Sequence, residues 1–218
     1  MIIPKCKSLD KMYITASGQV LPCCYVHKHN IDIQKWNINF NDIDSIKRDM
    51  EEWISNINSN EGDVQFDVCE YNCSKPIENQ KPAYHAELTT RCVLECPRCP
   101  RTIHSGKYKV QDLPLEYIKE FVLASPHKKS DRFNMSGSYG DPIYHMKFLD
   151  VIEFLDSIEQ SWWLSTNGSN KKISWWERFY NSYDDSKYSH KTKNIVSFAL
   201  DGLQDTNHLY RVATRYII

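Results

Sequence analysis

Three features that would each point to a class of protein are missing from this sequence. It has no run of about 18 apolar residues, the length that a membrane-spanning helix requires. Its first residues contain no charged stretch followed by an apolar one, so no secretory signal peptide is expected. Its 27 basic residues nearly balance its 28 acidic ones, and the net charge of −1 argues against nucleic acid or a membrane surface as a partner. We therefore expect a cytoplasmic protein.

Cysteine is absent from the second half of the chain, which makes the eight cysteines of the first half conspicuous. They are Cys6, Cys23, Cys24, Cys69, Cys73, Cys92, Cys96 and Cys99. In a reducing compartment, clustered cysteines bind metal or take part in redox chemistry more often than they form disulfides. The sequence therefore predicts metal or iron–sulfur sites in this half, in preference to scattered buried thiols.

The first 80 residues differ in pattern from the rest. They contain two short strand-like runs, residues 11–15 and 19–22, that form a plausible hairpin. An apolar stripe at helical spacing follows over residues 43–57, with Asn41 or Asp42 placed to cap it. We predict a small α+β domain over residues 1–80 and a second domain over residues 81–218.

After residue 82, strand-like and helical segments alternate. Strands are predicted at residues 84–90, 132–136, 162–166 and 195–200, and helices at residues 115–124, 143–158 and 174–180. This alternation favours an α/β fold of parallel βα units, whose functional groups gather at the carboxyl ends of the strands.

Three cysteines follow directly on the first of these strands. Cys92, Cys96 and Cys99 are separated by three and then two residues. Thiolates at this spacing can bind three irons of a cubane cluster and leave the fourth iron without a protein ligand. An open metal position is what a catalytic site needs. The alternative is a structural zinc site completed by His85 or His104.

The segment from Ala-Glu-Leu-Thr-Thr-Arg-Cys to Cys-Pro-Arg-Thr, residues 86–102, resembles the signature of the radical S-adenosylmethionine (SAM) superfamily. The resemblance implies that a [4Fe–4S] cluster on the three cysteines binds SAM. It also implies reductive cleavage of SAM to methionine and a 5′-deoxyadenosyl radical, which takes a hydrogen atom from a substrate. The sequence departs from the signature at Arg98, where the family usually has an aromatic residue. The implied fold is a partial (β/α) barrel of the radical SAM type, truncated or split, unless the strand count is too low.

Later segments match the same family in the same order along the chain. Gly140 and Asp141 resemble the segment that receives the SAM amino group, although the family usually has Glu in place of Asp. Ser165 and Asn167 follow the third strand, where the family places polar groups near the SAM ribose, and Arg211 follows the fourth. The resemblance implies that these five residues bind SAM. It identifies no further catalytic side chain.

The spacing of Cys6, Gly18 and Cys23 resembles the opening half of the SPASM and twitch modules, which hold auxiliary clusters in many radical SAM enzymes. The resemblance implies that Cys6, Cys23, Cys69 and Cys73 fully ligate a second, auxiliary [4Fe–4S] cluster, with Cys24 outside the coordination sphere. Those modules normally follow the barrel, whereas this one precedes it. Structural zinc on the same four sulfurs remains an alternative.

Taken together, the resemblances imply a radical SAM enzyme that acts on a peptide or protein. A small-molecule or nucleoside substrate is the second alternative, and a non-catalytic iron–sulfur or zinc interaction module is the third. The implied partners are an electron donor such as flavodoxin or ferredoxin, and a second chain that completes the barrel.

Overall fold

The computed structural model describes residues 11–22, 32–59, 83–104, 109–124, 132–137, 139–188, 193–203 and 205–212. Their strands are β1 (Lys11–Ile14), β2 (Val20–Leu21), β3 (Ala83–Ala86), β4 (Phe133–Met135), β5 (Trp162–Thr166) and β6 (Ile195–Phe198). Their α-helices are α1 (Ile43–Ser59), α2 (Pro100–Ile103), α3 (Leu115–Leu123), α4 (Phe148–Ser157), α5 (Ile173–Tyr180) and α6 (Asn207–Tyr210). None of these helices combines the length and apolar character needed to span a bilayer.

The six strands form one sheet in the order β2-β1-β3-β4-β5-β6. β1 and β2 pair antiparallel as the predicted hairpin, and every other neighbouring pair is parallel. The predicted α/β class is confirmed. From β3 onward the strands are neighbours in the order in which they occur along the chain, so their carboxyl ends lie along one edge of the sheet.

The described residues before residue 60 contribute to the same sheet as the later ones. β1 pairs parallel with β3, with Lys11 opposite Ala83 and Ile14 opposite Ala86. Ile46 of α1 belongs to the same cluster of buried side chains as the residues of the later strands. The expected domain boundary near residue 80 lies outside the described residues. The described residues on its two sides share one sheet and one core.

The hydrophobic core lies on one face of the sheet. Alternate residues of the strands point into it: Met12, Ile14, Tyr84, Ala86, Phe133, Met135, Trp162 and Leu164, all of them buried. Because side chains alternate along a strand, the residues between them lie on the other face. There the register aligns Tyr13, His85, Asn134 and Trp163 in one row. These four are half-buried or exposed, whereas α1, α3, α4 and α5 bury side chains in the core on the first face. We call the second face the uncovered face.

The continuous helix predicted over residues 143–158 is wrong. A short 3-10 helix, Pro142–Tyr144, is separated from α4 by a break at His145, whose backbone is extended with ψ 132°. The buried His145 ring explains the break, because its Nε2 lies 2.8 Å from the Leu113 carbonyl and its Nδ1 accepts the Lys147 N–H at 3.2 Å.

At the start of α1 the predicted cap is confirmed, since Asp42 accepts the Ser45 N–H at 2.9 Å.

Replacement of Phe121 tests where the core lies. This side chain of α3 is fully buried, with its ring centre 5.3 Å from that of Tyr84 and 6.4 Å from that of Phe133. Phe121→Ala should lower the free energy of unfolding by about 3–5 kcal/mol, measured by urea denaturation. Leu123 on the same helix is 65% exposed, and Leu123→Ala should change it by about 0.5 kcal/mol or less. Equal losses in the two variants would contradict this core.

Candidate functional site

The three predicted cluster cysteines lie on one loop at the carboxyl edge of the sheet. This cysteine loop, residues 92–99, follows β3 and ends where α2 begins, with Cys99 as the residue that precedes the helix. Cys99 donates its N–H to the Cys96 carbonyl at 3.0 Å, and its own carbonyl accepts the N–H of Ile103 at 2.9 Å. Cys96 is buried, Cys92 and Cys99 are half-buried, and all three are free thiols.

Donors from two later loops reach the sulfur atoms. Cys92 Sγ accepts the Leu94 N–H at 3.4 Å and lies 3.5 Å from Asn167 Nδ2, which follows β5. Cys96 Sγ lies 3.8 Å from Arg211 Nη1, which follows α6. Two of the five residues implied to bind SAM, Asn167 and Arg211, therefore contact the cysteine loop.

Arg211 is held in place from two directions. Its guanidinium forms an ion pair with Asp201, in the loop that follows β6. The next residue, Val212, accepts the Glu95 N–H at 3.2 Å. The segment after β6 is thus attached to the cysteine loop in two ways: through a backbone hydrogen bond, and through the Arg211 side chain, which contacts Cys96.

Gly140 packs against the backbone that leads into the cysteine loop. A Cβ atom on this residue would lie 1.9 Å from the Thr89 carbonyl oxygen, so no other residue fits without a shift of the backbone. The next residue, Asp141, donates its N–H to the Arg91 carbonyl at 2.8 Å. The glycine therefore permits a close backbone approach between the loops after β3 and β4.

Asp141 is an interior residue that joins two loops. It is 4% exposed, and its carboxylate accepts the Thr166 hydroxyl at 2.8 Å and the Asn167 N–H at 2.6 Å. It also accepts the Ile143 N–H at 3.2 Å. Burial raises the pKa of Asp141, whereas these hydrogen bonds act in the opposite direction. The carboxylate positions Asn167 beside Cys92 and has little surface of its own to offer a ligand.

Ser165 lies on the uncovered face of the sheet. It alternates with the buried Leu164 and Thr166, and its register partner on β6 is Ser197. Among the described residues, no contact joins its side chain to the cysteine loop. Two residues further along, Asn167 makes that contact.

Polar contacts that sequence reasoning missed brace the segment between β3 and Cys92. Glu87 is 2% exposed and accepts the Tyr139 N–H at 2.9 Å. Asp112 accepts the Thr89 hydroxyl at 2.5 Å and pairs with Arg91 at 3.0 Å. The available signal was a glutamate inside an otherwise apolar and threonine-rich strand, because a buried charge requires partners.

The uncovered face carries one close polar pair beside an aromatic ring. His85 Nε2 and the Ser136 hydroxyl are hydrogen-bonded, and the Tyr13 and His85 rings lie 5.0 Å apart. Burial lowers the pKa of His85, so the ring is neutral at pH 7. His85, one of the two histidines considered as a zinc ligand, is thus hydrogen-bonded to Ser136 on the uncovered face of the sheet.

The residues around the cysteine loop include a positive charge and unpartnered polar atoms, which are groups that can stabilise a negatively charged metal cluster. Arg101 lies close enough to lower the pKa of Cys92, although burial raises it more strongly. Two buried atoms of α2, Arg101 Nε and Thr102 Oγ1, have no hydrogen-bond partner among the described residues. Within the same part of the chain, no three His, Cys, Asp or Glu side chains are grouped so that they could hold a metal ion as they lie. Cluster binding would therefore require the thiols of the loop to draw together.

Cys6, Cys23, Cys69 and Cys73, predicted to hold an auxiliary cluster, lie outside the described residues, as does Cys24. Comparison of the chain with protein-family models, with curated proteins and with solved structures yields no match. The case for a function therefore rests on the residues and their geometry.

Removal of the Asp141 carboxylate tests its role between the loops. Asp141→Ala leaves the Thr166 hydroxyl and the N–H groups of Asn167 and Ile143 without an acceptor, and should lower the free energy of unfolding by about 2–4 kcal/mol in urea denaturation. Asp141→Asn keeps one acceptor and should cost less. Asp150 on α4 is exposed, so Asp150→Ala is the matched control and should change the value by about 0.5 kcal/mol or less. A loss in Asp141→Ala no larger than in this control would contradict the assignment.

Proposed function

We propose that this protein is a radical SAM enzyme whose cysteine loop holds a [4Fe–4S] cluster on Cys92, Cys96 and Cys99. The observation that carries the proposal is the convergence of later loops on that loop. Three thiols lie on one loop at the carboxyl edge of a parallel sheet, and Asn167 and Arg211 reach their sulfur atoms. Catalytic groups gather at this edge in barrels of parallel strands.

The order of the strands supports a partial (β/α) barrel. β3, β4, β5 and β6 are sequential neighbours, and the four helices that contribute to the core, α1, α3, α4 and α5, pack on one face. In a (β/α) barrel the helices form an outer ring and the other face of the sheet points inward. The uncovered face of this sheet would then be the inner face. β6 lies at the edge of the described sheet, which fits the expectation that a second chain or further strands complete the barrel.

Residues of this chain would prepare the site for the cluster and for SAM. When bound, the cluster would supply the electron for reductive cleavage of SAM to methionine and a 5′-deoxyadenosyl radical, with flavodoxin or ferredoxin as its source. Asn167 and Arg211 donate toward sulfur, and hydrogen bonds of this kind tune the reduction potential of iron–sulfur clusters. SAM would bind at the inner face of the sheet. Gly140 and Asp141 hold the loops around this position, and Ser165 lies on the face itself.

The substrate would lie against the uncovered face of the sheet. Tyr13, His85, Ser136 and Trp163 give this face hydrogen-bonding groups together with aromatic surface. Such a mixed surface suits a peptide or protein segment, which we propose as the substrate, with a small molecule or nucleoside as the alternative. A non-catalytic iron–sulfur or zinc module is a second candidate function, because the same three free thiols would supply its metal ligands.

The hairpin supports an auxiliary site at the opposite edge of the sheet. Gly18 has φ +84° in the turn between β1 and β2, and the Thr15 N–H donates to the Gln19 carbonyl at 2.9 Å. β1 is parallel to β3, so the chain enters β1 and leaves β2 at the amino edge. Cys6 and Cys23 flank that hairpin in the sequence. We propose that they bind the auxiliary [4Fe–4S] cluster with Cys69 and Cys73, which precede β3 in the sequence.

Substitution of the three loop cysteines tests the enzyme proposal. The protein, purified without oxygen and reconstituted with iron and sulfide, should release 5′-deoxyadenosine from SAM when reduced with dithionite, measured by mass spectrometry. Alanine at Cys92, Cys96 or Cys99 should lower this release at least about 100-fold, because one iron of the cubane loses its protein ligand. Cys24→Ala is the matched control and should keep the activity. SAM cleavage that persists in all three loop variants would refute the proposal, and its absence from the reconstituted wild type would favour the non-catalytic module.

Metal analysis tests the auxiliary site separately. Two cubanes correspond to about eight irons per chain, and each loop variant should retain about four. Substitution of Cys6 or Cys69 should remove the other four and leave the SAM-binding cluster. About four irons together with one zinc would identify the amino-terminal site as structural zinc instead.

A further inference from the structure

A groove with three positive side chains lies at the start of α5, outside the cysteine loop. It is lined by Asn170, Lys171, Lys172, Ser174, Trp175 and Arg178. No cysteine lines it, and Asp141 interacts electrostatically with both Lys171 and Cys92. The groove plays no part in the proposed SAM chemistry.

The charged groups of this groove form no close ion pair in the described part of the chain. No carboxylate there lies within 4.0 Å of the charged groups of Lys171, Lys172 or Arg178. Exposed lysines elsewhere do find such partners, as Lys35 does with Asp49 at 3.6 Å. Three like charges around one depression repel one another, and a bound anion would relieve that repulsion.

Lys171 is held in a position that a mobile surface lysine would not keep. Its ammonium nitrogen lies 4.7 Å from the ring centre of Tyr144 and 4.7 Å from that of Trp175. Partial burial lowers the pKa of Lys171, and the Asp141 carboxylate acts against this shift. The ammonium group is thus partly stripped of water and held by two aromatic rings, which fixes the position of its positive charge at the groove.

The wall behind the charges is rigid. Trp175 stacks on Phe179, with ring centres 5.8 Å apart and planes 7° from parallel, and it also packs on Phe148. Both phenylalanines are buried in the core. α5 starts at Ile173 without a side-chain cap, so its first N–H groups add partial positive charge beside Ser174. Lys171 is therefore presented from a fixed frame, which limits the entropy that this side chain loses on binding.

We infer that this groove binds a phosphate group through Lys171, Lys172 and Arg178. A phosphate carries more negative charge and more acceptor oxygens than a carboxylate, so it matches two ammonium groups and a guanidinium better. The ligand is a free phosphate or a phosphate monoester of a small molecule. Its binding is independent of any iron–sulfur cluster.

Titration with inorganic phosphate tests the inference. In the full-length protein with labelled tryptophan indoles, the NMR signal of Trp175, assigned with Trp175→Phe, should shift saturably at constant ionic strength. Trp36 and Trp53, which pack on each other beside α1, serve as internal controls. Lys172→Gln and Arg178→Gln change exposed side chains and should each weaken binding about 10-fold. Arg178→Lys should weaken it less. Circular dichroism would show that each variant is folded.

The controls separate a phosphate site from a general effect of charge. Lys119 lies 5.4 Å from the Phe154 ring, outside this groove, so Lys119→Gln removes one comparable charge and should leave phosphate binding unchanged. A second titration uses glycerol 3-phosphate in place of inorganic phosphate. Tighter binding of glycerol 3-phosphate would identify a phosphate monoester as the ligand, and weaker or equal binding would identify free phosphate. Either result supports the inference. Acetate that binds as tightly as phosphate would overturn it. A shift that does not saturate, or that persists in Lys172→Gln and Arg178→Gln, would also overturn it.

Discussion

The buried carboxylate of Asp141 ties together the loops from which the candidate site is built. Its oxygens accept hydrogen bonds from Thr166 and Asn167 at the end of β5, while its backbone N–H donates to Arg91, next to Cys92. The loops after β3, β4 and β5 therefore meet at one residue. Burial of a carboxylate is unfavourable unless donors replace the water that it loses, and here they are two groups at the end of β5 and the Ile143 N–H of its own loop. Displacement of the loop after β5 would leave the charge unsatisfied, so that loop and the Asp141 loop are expected to move together.

The sulfur atoms of the cysteine loop meet donors of different kinds. Cys92 is contacted by neutral groups, the Leu94 N–H and the Asn167 amide, whereas Cys96 faces the charged guanidinium of Arg211. The ion pair with Asp201 neutralises part of that charge and fixes the orientation of the guanidinium group. In a bound cluster such donors lower the negative charge on sulfur, which makes reduction easier. The segment after β6 thus contributes to the electrostatics of the loop without providing a thiol, a role that the positions of the cysteines alone do not indicate.

Local periodicity in the sequence was sufficient to predict most helices and strands, but it did not predict the contacts between distant segments. α3 was predicted at residues 115–124 and spans Leu115–Leu123, and β5 has the predicted bounds. The pairing of β1 with β3 joins segments some seventy residues apart, and no local pattern encodes it. The helix break at His145 depends on a carbonyl 32 residues away. Resemblance placed Asn167 and Arg211 near the thiols, but whether Asp141 faces a ligand or the interior depends on burial, which only the folded chain defines.

The cationic groove and the cysteine loop have Asp141 as a common neighbour. On one side, its negative charge contributes to the raised pKa of Cys92; on the other, the Lys171 ammonium acts to lower the pKa of Asp141 itself. Between them, Tyr144 donates its hydroxyl to the Ser169 carbonyl, and burial and the Asp141 charge keep its phenol protonated by raising its pKa. The effect of Lys171 on the pKa of Asp141 is smaller than those of burial and of the hydrogen bonds from Asn167, Thr166 and Ile143. Burial and these hydrogen bonds therefore dominate the state of the carboxylate that positions the loops.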